Sequence, residues 1–140
     1  MANQIRLTMT SLASPERVFD FLANPRNLMV ANYPGAAEAR SEGEGAVGSW
    51  AVLDFANIRV RVTYTAWDRP SHLAATLEYS GRGSNGRRDS VDYELSASPD
   101  GGTVISMEGA TEATISIPLV SQIARSIAIR RLRQKLEAIN

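Results

Sequence analysis

The sequence predicts an α+β domain: a curved antiparallel sheet of seven strands, two short helices after strand 1, and a long C-terminal helix against the sheet. Three observations predict it. Apolar and polar residues alternate over most of the first 114 residues, turn residues divide that alternation into short runs, and the last part of the chain changes to helical spacing. The length of 140 residues, with 44% hydrophobic and 21% charged residues, indicates one domain over residues 1–140.

The first strand and the short helices are marked by spacing and by capping residues. Alternation over Ile5–Met9 predicts a strand. Ser14-Pro15 combines an N-cap residue with proline at the first helical position, and Asn24-Pro25 ends that helix. A second short helix is expected from about Arg26 to Ala31, before Tyr33-Pro34-Gly35 breaks the chain.

The region from Ala36 to Thr114 is strand-like and is divided by turns. The clearest strand places Ile58, Val60, Val62, Tyr64 and Ala66 on one apolar face. Trp50 can belong to either face of its strand. Strands are predicted at Val47–Phe55, Ile58–Ala66, Leu73–Tyr79 and Val91–Ala97, and from Thr103 onward.

The C-terminal helix, from about Pro118 to Ile139, is predicted by an apolar stripe. That stripe is formed by Val120, Ala124, Ala128, Leu132, Leu136 and Ile139. The helix would be about 33 Å long, enough to cross the sheet. Many inward positions are small and only 6% of residues are aromatic, which favours a cavity under the helix over a solid core; the small residues are Ala51, Ala66, Ala75, Ala97, Gly109, Ala124 and Ala128.

Composition excludes several classes of protein and site. There is no cysteine, and His72 is the only histidine, so no metal site and no cofactor are expected. The 15 basic and 15 acidic residues balance, which argues against nucleic acid as a partner. No apolar run is long enough for a membrane span and no signal peptide is present, so the expected location is the cytoplasm.

The chain resembles the helix-grip superfamily, which includes START-related lipid carriers, Bet v 1 plant allergens and the polyketide cyclase/dehydrase group. The resemblance rests on the order and spacing of five segments: Ser14–Phe19, Asn24-Pro25, Gly45–Trp50, Trp67–Pro70 and Asp100–Thr103. It covers essentially the whole chain. It implies a cavity between the sheet and the terminal helix, with functions that range from lipid transport to catalysis.

The predicted ligand-binding residues lie on the apolar strand faces and on the helix stripe. Tyr64, Tyr79 and Tyr93 stand out, because a buried phenol needs a hydrogen-bond partner. The resemblance implies that cavity tyrosines hold a polyketide, and ordinary core tyrosines are an equal alternative. The predicted set is Phe55, Tyr64, Leu77, Tyr79, Tyr93, Met107, Val120, Ala124 and Ile127, and no catalytic residue is assigned.

Other conspicuous residues have plainer interpretations. His72 follows a turn without a nucleophile motif nearby, so a surface position is expected rather than a catalytic role. Arg82, Arg87 and Arg88 surround a hairpin tip and are interpreted as solubilising charges. The apolar loop Ile115–Pro118 fits either a lip at the cavity mouth or a homodimer contact.

Two functions remain open at this point. The first is a binding protein that encloses a small hydrophobic molecule, either a lipid or a polyketide-like compound. The second is a polyketide cyclase/dehydrase-type enzyme that positions its substrate and moves a proton with a tyrosine or with a carboxylate such as Glu108. Binding ranks first, because ordinary tyrosine and carboxylate pKa values match neutral pH poorly.

The small-residue stripe generates one prediction. Replacing Ala124 with Trp should fill the cavity and abolish ligand binding. Ligand affinity of the purified variant measures the effect, and an unchanged affinity would place the ligand elsewhere or show that no cavity exists.

Overall fold

The computed structural model describes residues 3–25, 28, 37–42, 47–55, 58–81, 88–112, 130, 133–134 and 136–139, with the backbone alone at 3–5, 37–42, 55, 58 and 111–112. One helix and seven strands are bounded there: β1 Asn3–Ser11, α1 Pro15–Ala23, β2 Ala37–Glu42, β3 Trp50–Phe55, β4 Ile58–Asp68, β5 His72–Gly81, β6 Arg88–Ala97 and β7 Thr103–Glu112. The strands form one antiparallel sheet in the order β1-β7-β6-β5-β4-β3-β2. The predicted α+β class is confirmed.

Helix α1 begins as its sequence predicts. The Ser14 side chain accepts a hydrogen bond from the Arg17 amide at 3.4 Å, and Pro15 occupies the first turn. The helix buries Val18, Phe19 and Leu22. Of the predicted second helix, Leu28 is described: it is buried, and its amide donates to the Asn24 carbonyl at 3.2 Å. The rest of that helix lies outside the described residues.

The C-terminal helix is described in its last turns alone. Leu136 is fully buried and Ile139 packs against the same core, as the apolar stripe predicts. Arg133 and Glu137 are exposed, as expected for the opposite side. Most of the predicted helix, including Val120, Ala124 and Ile127, lies outside the described residues.

The two faces of the sheet have different surroundings. The inner face carries the hydrophobic core, and the five strands β3 to β7 contribute these residues to it: Leu53, Val60, Val62, Leu73, Ala75, Leu77, Tyr93, Leu95, Ile105 and Met107. The register places these side chains beside one another; for example, Leu73 pairs with Tyr93, which pairs with Met107. The outer face carries the intervening, mostly polar positions.

The sequence places Ala66 on the inner face of the sheet, but a β-bulge in β4 puts it on the outer face. The register passes from Tyr64 opposite Ala75 to Ala66 opposite Ala74, so one extra residue is inserted in β4. Strict alternation puts Ala66 on the inner face, but the inserted residue reverses the alternation. Trp67, which pairs with Leu73, takes the inner position instead.

This bulge positions three contacts that hold α1 on the sheet. The Tyr64 hydroxyl donates to the Ala23 carbonyl at 2.7 Å, at the end of the helix. The Trp67 ring meets Phe19 and Tyr64 edge-on, at centroid distances of 5.4 and 4.9 Å. Arg69 makes a two-point ion pair with Asp20 at 2.8 and 2.9 Å, although both groups are half-exposed and the pair adds little stability.

Trp50, which the sequence could place on either face of its strand, lies on the outer face. Trp50 pairs with Thr63, whereas its neighbours Ala51 and Leu53 pair with inner residues. The Arg61 guanidinium lies 4.7 Å from the centre of the Trp50 ring, which is cation–π geometry. Trp50 therefore covers the outside of the sheet.

His72 lies on the outer face at the start of β5, which agrees with the expected surface position. Its Nε2 lies 2.9 Å from Asp92 Oδ1 and 3.0 Å from Oδ2. The hydrogen bond to Asp92 raises the pKa of His72 above its ordinary value of 6.5; the charges of Asp92, Glu94 and Asp68 add to this, and partial burial opposes it. The imidazole is therefore an ion-pair partner across β5 and β6.

No helix among the described residues is long and apolar enough to cross a lipid bilayer.

The Tyr64 hydrogen bond generates a stability prediction. Tyr64→Phe removes the donor for the Ala23 carbonyl, and we expect the free energy of unfolding to fall by about 1–2 kcal/mol. Urea denaturation measures the loss. Tyr93→Phe is the matched control, because it removes the same atom where no hydrogen bond reaches the described residues. Equal losses in the two variants would contradict the anchoring role of Tyr64.

The ion pair of His72 generates a pH prediction. Its folded-state pKa is raised, so the stabilisation is complete below the unfolded pKa near 6.5 and disappears as pH rises through the folded value. We therefore expect His72→Gln to destabilise the protein more at about pH 5.5 than at about pH 9. Thermal melting at both pH values tests this, and a larger loss at the higher pH would refute it.

Candidate functional site

The inner face of the sheet has two ends with different coverings. Helix α1 packs on β5 and β6 and fills one end, where Phe19 meets Trp67. The other end lies toward the β5–β6 connection. Between the two ends, the register aligns Tyr64, Ala75, Val91 and Gly109 in one row across the sheet. Ala75 and Gly109 in this row have little or no side chain, so the inner face is recessed there.

A partly exposed region of the inner face includes this recess. We call Leu7, Asp89, Val91 and Gly109 the inner-face patch: all four occupy inner register positions, and all four retain partial exposure. Their inner neighbours Tyr93 and Met107 are buried. A Cβ atom added at Gly109 would make only ordinary contacts, the nearest at 3.7 Å from the Ser90 carbonyl oxygen, so a methyl group would fit there. The patch therefore forms the candidate binding surface.

A carboxylate lies on this otherwise apolar surface. The side chain of Asp89 faces inward because its backbone pairs with Leu77. The Tyr79 hydroxyl donates to Asp89 Oδ2 at 2.9 Å, and Tyr79 itself is buried. Tyr79 thus holds the orientation of the carboxylate at the edge of the patch.

Tyr93 places a second polar group on the same face. Its side chain is 2% exposed, and no hydrogen bond joins its hydroxyl to the described residues. In that part of the chain, every fully enclosed side-chain nitrogen or oxygen atom does have a hydrogen bond. The Tyr93 hydroxyl is therefore not fully enclosed. Burial raises the pKa of Tyr93, so the phenol keeps its proton and remains a donor.

The predicted ligand-binding residues fall into three groups. Leu77, Tyr79, Tyr93 and Met107 are buried on the inner face around the patch. Tyr64 is on the same face, but its hydroxyl is engaged with α1. Phe55 ends β3 opposite Ile58, and its side chain is outside the described part of the structure. Val120, Ala124 and Ile127 also lie outside it. For all nine residues, a role in ligand binding stays a prediction.

Asp89 is the residue that the sequence reasoning missed. Glu108, the carboxylate considered there, is on the outer face and pairs with Arg6 at 2.7 Å. Among the strand carboxylates whose side chains are described, Asp89 alone faces inward. The signal was available, because Asp89 is in phase with the apolar positions Val91 and Tyr93.

Two other kinds of site have little support. Among the described residues, no group of three or more histidine, aspartate or glutamate side chains is placed to hold a metal ion. A separate cleft of about 460 Å³ is lined by Thr10, Ser11, Leu12, Ser98, Pro99, Asp100 and Glu137. Ser98 and Asp100 hydrogen-bond to each other there. Five of its seven lining residues have polar or charged side chains, whereas sites for hydrophobic molecules are lined mainly by apolar side chains.

Comparison with solved structures supports the fold. Mll3558 from Rhizobium loti is 17% identical with a TM-score of 0.69, and the match covers 97% of this chain and 98% of that one. Ara h 8.0201 is 20% identical with a TM-score of 0.68, over 97% and 98% of the two chains. DynU16, a protein of the dynemicin biosynthetic locus, is 14% identical with a TM-score of 0.62; the match covers 96% of this chain and 47% of that one. These similarities confirm the helix-grip, Bet v 1-like fold.

Comparison with sequences identifies the family. No curated protein sequence matches the chain significantly. The profile of the family described as polyketide cyclase / dehydrase and lipid transport matches residues 3–140. That description supports, in general terms, binding of a hydrophobic ligand or a role in polyketide chemistry. With nearly its whole length matched, the chain belongs to the polyketide cyclase/dehydrase and lipid transport family.

Proposed function

We propose that this protein binds a small hydrophobic molecule between the inner face of the sheet and its C-terminal helix. The observation that carries the proposal is Tyr93: its side chain is buried, its hydroxyl has no hydrogen bond to the described residues, and it shares the inner face of β6 with the partly exposed Val91, the partner of Gly109. An unpartnered buried hydroxyl costs stability, and a ligand oxygen or a water molecule relieves that cost.

The surroundings of the patch favour an apolar ligand. Leu7, Val91 and Gly109 offer a mostly apolar floor, and Leu77 and Met107 border it. Leu136 and Ile139 attach the end of the C-terminal helix to the same core, which supports the placement of that helix over the sheet. Surfaces of this kind, with a few placed polar groups, are typical of small-molecule sites.

Catalysis of the cyclase/dehydrase type is the second candidate, and Asp89 favours it. A carboxylate beside an apolar floor can accept a proton from a bound substrate that lies within hydrogen-bond reach. The hydrogen bond from Tyr79 orients Asp89 for such a transfer. Binding remains the first proposal, because Tyr93 and the inner-face patch support ligand binding and neither observation requires that the ligand reacts.

Native mass spectrometry of the freshly purified protein, repeated under denaturing conditions, tests the binding proposal. We expect an excess mass of a few hundred daltons that disappears on denaturation, the size that a cavity of one domain can hold. Retention of the neutral fluorescent probe N-phenyl-naphthylamine checks the same point independently. A clean apo mass together with no probe binding would contradict the proposal. A bound mass that changes chemically during incubation would support catalysis instead.

Tyr93→Phe tests the polar anchor. We expect it to weaken retention of the co-purified molecule, because the ligand loses one hydrogen-bond donor, and to leave thermal stability nearly unchanged. The ratio of bound to free protein in native spectra measures retention. If the variant melts early yet retains its ligand as wild type does, Tyr93 is a structural residue.

A further inference from the structure

We infer that Gly109 determines the size of the ligand that is accepted: an apolar part of the bound molecule lies against the Gly109 backbone, in the space that a side chain would otherwise fill. This inference rests on the proposed binding function and adds the residue that sets its specificity. Two independent observations carry it. One is a glycine inside a strand for which the described residues give no structural reason, and the other is the buried Tyr93 hydroxyl on the same face, which has no hydrogen bond to those residues.

Glycine is a costly residue at position 109. It lies within β7, where it pairs with Val91 of β6 on one side and with Ile5 of β1 on the other. A glycine inside a strand loses more backbone entropy on folding than any other residue, and it contributes no side chain to packing. A structural or functional requirement is therefore expected to account for it.

Three structural requirements commonly account for a glycine in a strand, and none of them applies to Gly109 within the described part of the chain. The first is a left-handed backbone, but the glycines with positive φ are Gly48, Gly81 and Gly101. The second is a β-bulge, but the register of β7 is unbroken against both β1 and β6. The third is a close approach within the chain, but an added Cβ atom would lie 3.7 Å from the nearest atom, the Ser90 carbonyl oxygen. The requirement that remains is the approach of a ligand.

Gly102, just before β7, shows the contrasting case of a structural glycine. A Cβ atom added there would overlap the Ser11 carbonyl oxygen and lie 3.3 Å from the Leu12 Cα atom. The fold therefore excludes a side chain at position 102. At position 109 the described residues leave room for one.

The surface at Gly109 favours an apolar group of the ligand. β7 is flanked by β1 and β6, so the peptide groups of Gly109 are engaged in the ladders of the sheet. Its inner-face neighbours are Val91 across the sheet and Met107 along the strand. Gly109 and Val91 retain partial exposure, so a molecule can reach them. A ring or a hydrocarbon segment fits this surface, whereas a charged group would lose its hydration against it.

A series of substitutions at position 109 tests the inference. In Gly109→Ala, Gly109→Val and Gly109→Leu, the side chain grows into the space assigned to the ligand. We expect the affinity for N-phenyl-naphthylamine to fall in that order, by roughly 5- to 150-fold in Gly109→Leu, which is the range that overpacking costs. Fluorescence titration gives each dissociation constant. The urea midpoint should rise in Gly109→Ala, because alanine loses less backbone entropy on folding.

Two controls accompany the series. Ala110 is the next residue of β7, but it is on the outer face, where it pairs with Ser90. Ala110→Leu adds bulk to the same strand and should leave the affinity for the dye unchanged. Gly102→Ala should lower the urea midpoint, because its Cβ atom overlaps the backbone. Native mass spectrometry should show that Gly109→Leu loses the co-purified molecule and that Ala110→Leu retains it, and circular dichroism verifies folding.

The outcomes separate the inference from the proposed function. If the dye binds equally to wild type and Gly109→Leu, position 109 does not set specificity, and hydrophobic binding stands. If Gly109→Ala lowers the urea midpoint, the glycine is required for packing within the chain and the inference is overturned. Equal losses of affinity in Gly109→Leu and Ala110→Leu refute it as well. If neither the dye nor any co-purified molecule binds to the wild-type protein, both proposals fail.

Discussion

The position of α1 on the sheet depends on the single residue that β4 gains between Tyr64 and Ala66. This insertion puts Tyr64 and Trp67 on the same face of the sheet, although their spacing of three would place them on opposite faces of a regular strand. Both side chains then contact α1, one through the Ala23 carbonyl and the other through Phe19. The helix is therefore fixed over one end of the inner face, and its position decides which part of that face stays open.

This division separates stability from binding within one sheet. At the α1 end, large side chains interdigitate and leave their neighbours fully buried. Beyond that end, Ala75 and Gly109 leave the inner face recessed, and the inner-face patch retains exposure. Tyr93 lies at the boundary between the two regions. It is packed like a core residue, and its hydroxyl has no hydrogen bond to the described residues.

Local signals explain what could be predicted from the sequence. Alternation and turn residues identified the strands, and the Ser14-Pro15 pair identified the start of α1, because both depend on neighbours in the chain. The bulge was missed because a single inserted residue leaves the composition of β4 unchanged, so Ala66 was assigned to the wrong face. Asp89 was missed because its inward orientation becomes informative only beside Tyr79, ten positions earlier in the chain but diagonally adjacent in the sheet. The hydroxyl of Tyr64 was equally ambiguous, since its partner is a distant backbone carbonyl.

The position of β2 has a consequence for self-association. β2 is an edge of the sheet, and an unpaired edge invites a strand from another molecule to extend the ladder. This strand carries three charged residues, Glu38, Arg40 and Glu42. Its register against β3 shifts between Glu38 and Arg40. Charges and an irregular register both disfavour such an addition, because a second copy would have to match them while forming straight hydrogen bonds. These features of β2 therefore disfavour the growth of the sheet by strand addition from a second copy at that edge.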